Sequence, residues 1–134
     1  MRAMDNLQKS EAVIARILTH LAENGLKTSD LGATEIGLDD ELQSFFEYCA
    51  RWLSSEGIIR VGTVVSGTEP GEVYFLDSVI TAYGFQLLSQ GVSLGGKEKS
   101  LGAAVKEVSS GKSYSSLGDL IGGILGGFTK SISS

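Results

Sequence analysis

Cysteine and histidine are nearly missing from this 134-residue chain: it has one of each, Cys49 and His20. A lone cysteine excludes an intramolecular disulfide and fits a reducing compartment. One cysteine with one histidine cannot furnish the ligand set of a usual zinc site, so neither a metal nor a cofactor is expected. A Ser-His-Asp or Cys-His relay would have to use His20, and spacing offers it no partner. His20 lies beside an apolar helical stripe, the place of a structural histidine. Cys49 falls on a core position, which predicts a buried and inert thiol. No apolar run reaches the roughly 18 residues that would signal a spanning helix. The start, MRAMDNLQKSEAV, has no apolar stretch of a secretory leader, so the expected location is cytoplasmic.

Positive charge is missing in a specific place. There is no Lys or Arg between Lys27 and Arg51, and none between Arg60 and Lys97. Residues 1–91 carry six Lys/Arg against thirteen Asp/Glu, a net of −7, while residues 92–134 carry five against three, a net of +2. The second part also has 19 Gly or Ser among 43 residues, so a boundary is placed at Gly91. What remains is ample for a core: 42% of the chain is apolar.

The periodicity predicts a helix over residues 5–23, with Leu7, Val13, Ile14, Ile17, Leu18 and Leu21 at helical spacing and Asn24-Gly25 as its stop. Thr28, Ser29 and Asp30 are candidate N-caps for a short second helix through Ile36, ended by Gly37. A third helix is expected from Asp39 or Asp40 to Glu56, with the stripe Leu42, Phe45, Phe46, Cys49, Trp52 and Leu53. Then the period changes. Residues 58–65 and 73–79 are rich in β-branched and aromatic residues, and SGTEPGE between them carries Pro70 and two glycines, the pattern of a hairpin. Thr81 can cap a fourth helix over residues 82–90, with Leu87 and Leu88 directed to the core.

WLSSEGIIRV, residues 52–61, resembles the passage from recognition helix to wing in winged-helix regulators. ITAYGFQLL, residues 80–88, resembles the segment that follows the wing in MarR-like and PadR-like regulators. The resemblance covers about residues 8–90. It implies a helix-turn-helix at residues 28–56 and usually a dimer. The fold expected is therefore mainly α with a small β-hairpin, a winged helix-turn-helix-like domain over residues 1–91.

The family's usual activity requires bases where phosphates would lie, because neutralising phosphates supplies most non-specific affinity. The presumed recognition helix instead carries Asp39, Asp40, Glu41, Glu47 and Glu56 against Arg51 alone, and the hairpin tip adds Glu69 and Glu72. The exposed face of that helix should present Ser44, Glu47, Tyr48, Arg51 and Ser55, a candidate partner face that includes residue types enriched at protein interfaces. A solvated acidic helix face is the plainer alternative. A DNA-binding regulator would have to use Lys27, Arg51, Arg60 and the lysines beyond residue 91.

Two stretches imitate phosphate loops. GVSLGGKE, residues 91–98, places Glu98 where Ser or Thr should hold magnesium, and Gly111-Lys112-Ser113 has Lys106 in place of the first glycine. Neither follows an expected buried strand. Paired carboxylates such as Asp39-Asp40 read as helix N-terminal charge. No catalytic residue is expected.

Residues 92–116 read as a Gly/Ser-rich linker in which Leu101, Ala104, Val105 and Val108 mark a short helix. Residues 117–134 read as an amphipathic, glycine-zipper-like helix. Ser116 and Asp119 resemble a capping box, and Leu117, Leu120, Ile121, Ile124, Leu125, Phe128 and Ile132 fall on one face. Gly118, Gly122, Gly123, Gly126 and Gly127 lie between them. At about 0.8 to 1 kcal/mol per glycine, this helix needs a supporting surface. Three destinations stay open: the chain's own domain or a second copy, a membrane surface, or a partner protein. Lys130 is the segment's only base, where interfacial helices usually carry several. A non-catalytic interaction or regulatory module, expected as a homo-oligomer, is the reading carried forward.

Overall fold

Helix α1, Asn6–Asn24, opens on a reciprocal cap. The Asp5 carboxylate accepts the Gln8 backbone N–H at 2.8 Å, and the Gln8 side chain accepts the Asp5 N–H at 2.9 Å. Gly25 ends the helix at φ +59°. Val13, Ile14, Ile17, Leu18 and Leu21 are buried, as their spacing predicts, whereas Leu7 at the first turns remains exposed. In the computed structural model, residues 5–94 and 97–110 are described.

The expected second helix is replaced by a strand. Ser29–Leu31 forms β1, which pairs antiparallel with the long strand β4, Val73–Ile80. Two of the three candidate capping side chains are used elsewhere. Ser29 Oγ accepts from Asn24, and the Asp30 carboxylate accepts the Asp77 backbone N–H at 3.0 Å. That bond lies at a register irregularity between Ser29 and Leu31, facing Asp77 at φ 56°. Only one helical turn survives after β1, in which Ile36 N–H donates to Gly32 O and Leu38 N–H to Ala33 O.

The expected third helix is split into α2, Asp40–Gln43, and α3, Phe46–Ser55. Phe45 N–H turns to Leu42 O, three residues back, which tightens the backbone at the break. Phe46, Cys49 and Leu53 of the expected stripe are buried, and Leu42, Phe45 and Trp52 pack half-buried against the same core. Phe46 meets Phe75 of β4 edge to face, with ring centroids 5.6 Å apart.

The predicted hairpin is present, with its first arm broken into β2, Ile59–Arg60, and β3, Thr63–Ser66. Both pair with β4, and β1 lies along the other side of β4. Thr81 caps helix α4, Ala82–Leu88, by accepting the Gly84 N–H. Its hydroxyl donates back to the carbonyls of Gly57 and Ile58, which ties the resembling segment to the end of α3.

The stretch read as linker is built differently from that expectation. Gly91–Leu94 and Lys97–Ser100 pair as the hairpin β5–β6. The short helix is present as α5, Leu101–Ser109, capped by the Ser100 hydroxyl. Leu101 and Val105 are fully buried in the same core as α1. The architecture over the described residues is thus mixed α/β: five helices, a four-stranded antiparallel sheet and a second small hairpin. The candidate assembly residues Leu117, Leu120, Ile121, Ile124, Leu125 and Phe128 lie outside the described residues.

Candidate interaction face

Helix α3 buries Phe46, Cys49, Ala50 and Leu53, so helical geometry turns the intervening positions outward. Ser44, Tyr48, Arg51 and Ser55 are exposed and Glu47 is half-buried. Tyr48 stands out, with three quarters of its surface open to solvent.

The base on this face is already engaged. Arg51 Nε donates to Glu47 Oε2 at 2.9 Å, one helical turn away, and its guanidinium carbon lies 5.7 Å from the centre of the Phe75 ring. Both side chains keep contact with solvent, Arg51 at 53% and Glu47 at 42% exposure, so the pair adds little stability. Its consequence is electrostatic: the positive charge is neutralised locally.

Folding brings the hairpin tip beside α3. One groove of about 590 Å³ runs between Glu47 and Arg51 on α3 and Val64, Val65, Glu69 and Glu72 on the hairpin. A second, of about 580 Å³, is lined by Glu35, Glu47, Tyr48, Glu69, Glu72 and Tyr74 among others, with no Lys or Arg. Glu72 organises the tip, accepting the Tyr74 hydroxyl at 3.0 Å. That hydrogen bond, followed by burial and the charges of Glu35 and Glu72, raises the Tyr74 pKa. Ser55 is set apart from both grooves and donates to Trp52 O.

The sequence placed Ser44, Glu47, Tyr48 and Arg51 on the outer face of the helix and Glu69 and Glu72 at the hairpin tip, but gave no sign that other residues join them. Val64, Val65 and Tyr74, and Glu35 from the turn after β1, reach this face only through strand pairing. The alternation of Glu72 with Tyr74 was the one local signal available. Lys27, after α1, and Arg60, in β2, line neither groove.

His20 does acquire a partner. Ser29 Oγ lies 3.3 Å from its Nε2, and Asn24 donates to the same oxygen at 2.9 Å. This cluster joins the end of α1 to β1, and neither His20 nor Ser29 lines either groove. Cys49 is buried, its thiol donating toward Ser10 O at 3.6 Å. Burial pushes its pKa up to about 11, against a smaller opposing effect of the Ser10 side chain. Among the described residues no group of three or more His, Cys, Asp or Glu is placed to hold a metal ion, and no helix is long and apolar enough to cross a membrane.

Comparison with protein-family models, curated proteins and solved structures finds no match for this chain. The face has to be read from its own chemistry. It offers carboxylates, tyrosines and exposed valines, and its single guanidinium is already paired.

Proposed function

We propose that this chain is a non-catalytic protein-interaction module built on a winged-helix-like domain, with the α3–hairpin face as its binding surface. The order α1, β1, α2–α3, hairpin, α4 supports the winged-helix reading, together with the two resembling segments at residues 52–61 and 80–88. One observation carries the functional reading. Arg51, the only base between residues 28 and 59, is paired with Glu47 in a groove that also holds Glu69 and Glu72. A DNA backbone docked here would meet net negative charge at close range. A protein partner would meet Tyr48 and two exposed valines ringed by polar groups, a composition suited to an interface. Self-association through the apolar stripe of residues 117–132 belongs to the same proposal and rests on the sequence alone.

An anisotropy titration of the full chain with random-sequence duplex DNA at low salt tests the central claim. The expected result is no saturable binding. Tight binding would overturn the reading in favour of a DNA-binding regulator that uses Lys27, Arg51, Arg60 and the lysines beyond residue 91.

A further inference from the structure

Among the described residues, β3 pairs with β4 and with no other strand, so one side of β3 is a free sheet edge. The Gly67 N–H donates to Glu72 O at 2.8 Å, marking 67/72 as a hydrogen-bonded pair. Such pairs alternate along an antiparallel ladder, and the register places Val65 opposite Tyr74 and Thr63 opposite Leu76. The N–H and C=O groups of Val64 and Ser66 therefore point away from β4, toward the open edge.

Edges are usually blunted by Pro, by charge or by a covering element. Thr63-Val64-Val65-Ser66 has no charge and no proline, and all four residues are exposed. Val64 and Val65 retain 40% and 37% of their surfaces, on opposite faces of the hairpin because the first pairs with Phe75 and the second with Tyr74. The groove along this edge has three glutamates, Glu47, Glu69 and Glu72, against the one paired Arg51.

We infer that β3 is a docking edge: an extended, basic segment of a partner protein adds as a strand beside Val64 and Ser66, its Lys or Arg side chains meeting Glu47, Glu69 and Glu72. Main-chain hydrogen bonds would supply affinity and the flanking carboxylates the selectivity. A second copy of this chain fits less well, because residues 1–91 of each copy carry a net of −7 and an acidic hairpin tip. The inference rests on the interaction reading above, which the DNA titration tests separately.

The test uses the full chain and a seven-residue peptide of alternating Lys and Val, followed by amide NMR and hydrogen exchange. Binding should protect the Val64 and Ser66 amides. A Glu-Val peptide, or a Lys-Val peptide N-methylated at alternate residues, should bind about tenfold more weakly or worse. Val64→Pro removes an outward N–H while sparing the ladder to β4, and should weaken binding about tenfold. Val64→Lys and Glu69→Lys, which leave the backbone able to pair, should each weaken it several-fold by charge. Equal affinity for the Lys and Glu peptides, unchanged binding by Val64→Lys and Glu69→Lys, or bound peptide without protection at Val64 and Ser66 would overturn strand addition. Dimerisation through β3 in the absence of peptide would overturn it in favour of self-pairing. None of these failures would restore DNA binding.

Discussion

Arg16, in the middle of α1, donates from Nη2 to the carbonyl oxygen of Ser109, the last residue of α5, at 3.0 Å. A cation at a helix C-terminus satisfies an otherwise unpaired carbonyl and complements the helix dipole. The contact bridges 93 positions of sequence and, with buried Leu101 and Val105, makes α5 part of the same core as α1.

Truncation should report this dependence. A chain ending at Gln90 loses Leu101 and Val105, each worth roughly 1.5 to 3 kcal/mol of burial, and should lose its cooperative thermal transition. A chain ending at Ser110 should keep it. Arg16→Gln should lower stability by about 1 kcal/mol, read as a shift in the denaturation midpoint. Equal melting of the two truncated chains would contradict the role assigned to α5. The chain ending at Ser110 is also the proper reference for measuring by light scattering whether residues 111–134 drive self-association.

Gly84→Ala should destabilise, although alanine is the better helix former by about 1 kcal/mol. A Cβ at Gly84 would lie 2.2 Å from the backbone oxygen of Ile58 and 2.6 Å from an Ile80 methyl. The carbonyl belongs to the short stretch between α3 and β2 and is also a partner of the Thr81 hydroxyl, so it cannot move aside cheaply. The expected loss is about 1 to 3 kcal/mol, measured by chemical denaturation. A more stable variant would show that the α4–Ile58 contact is looser than the structure has it.

Cys49 should make the fold sensitive to alkali. Its thiol ionises near 9.0 when free but near 11 in the folded chain, because burial disfavours the thiolate. The stabilising contribution of the neutral thiol is complete below pH 9.0 and is lost as pH rises toward about 11, a loss on the order of 2 kcal/mol. Tyr83, raised first by burial and then by Glu56, adds to the same trend. Comparing Cys49→Ala with the parent chain isolates the cysteine: the variant should lose less stability over this window. At neutral pH the native thiol should react with disulfide reagents far more slowly than the denatured one. Rapid labelling of the native protein would contradict its burial.

Local features were legible in the sequence because their causes are local. The stripes of α1 and α3, the Thr81 cap and the turn at Pro70-Gly71 follow from helical periodicity, side-chain capping and the conformational freedom of glycine, visible at Gly71 with φ +78°. The outward positions of α3, Glu47, Tyr48 and Arg51, follow by subtraction from its buried stripe. The sequence also determined the charge of that face.

Tertiary structure alone decided which elements became strands and which surfaces meet. Ser29-Asp30-Leu31 has good helix-capping chemistry, yet pairing with β4 and the Asp30–Asp77 bond, 47 residues apart, take it into the sheet. Residues 97–100 look like linker because charge and serine dominate them, yet they pair with residues 91–94. The edge of β3 that is open among the described residues has no sequence signature, since an edge is defined by the absence of a neighbour. Periodicity records how a segment divides core from solvent; the identity of its hydrogen-bonding neighbour depends on distant chain and emerges only when the whole core forms.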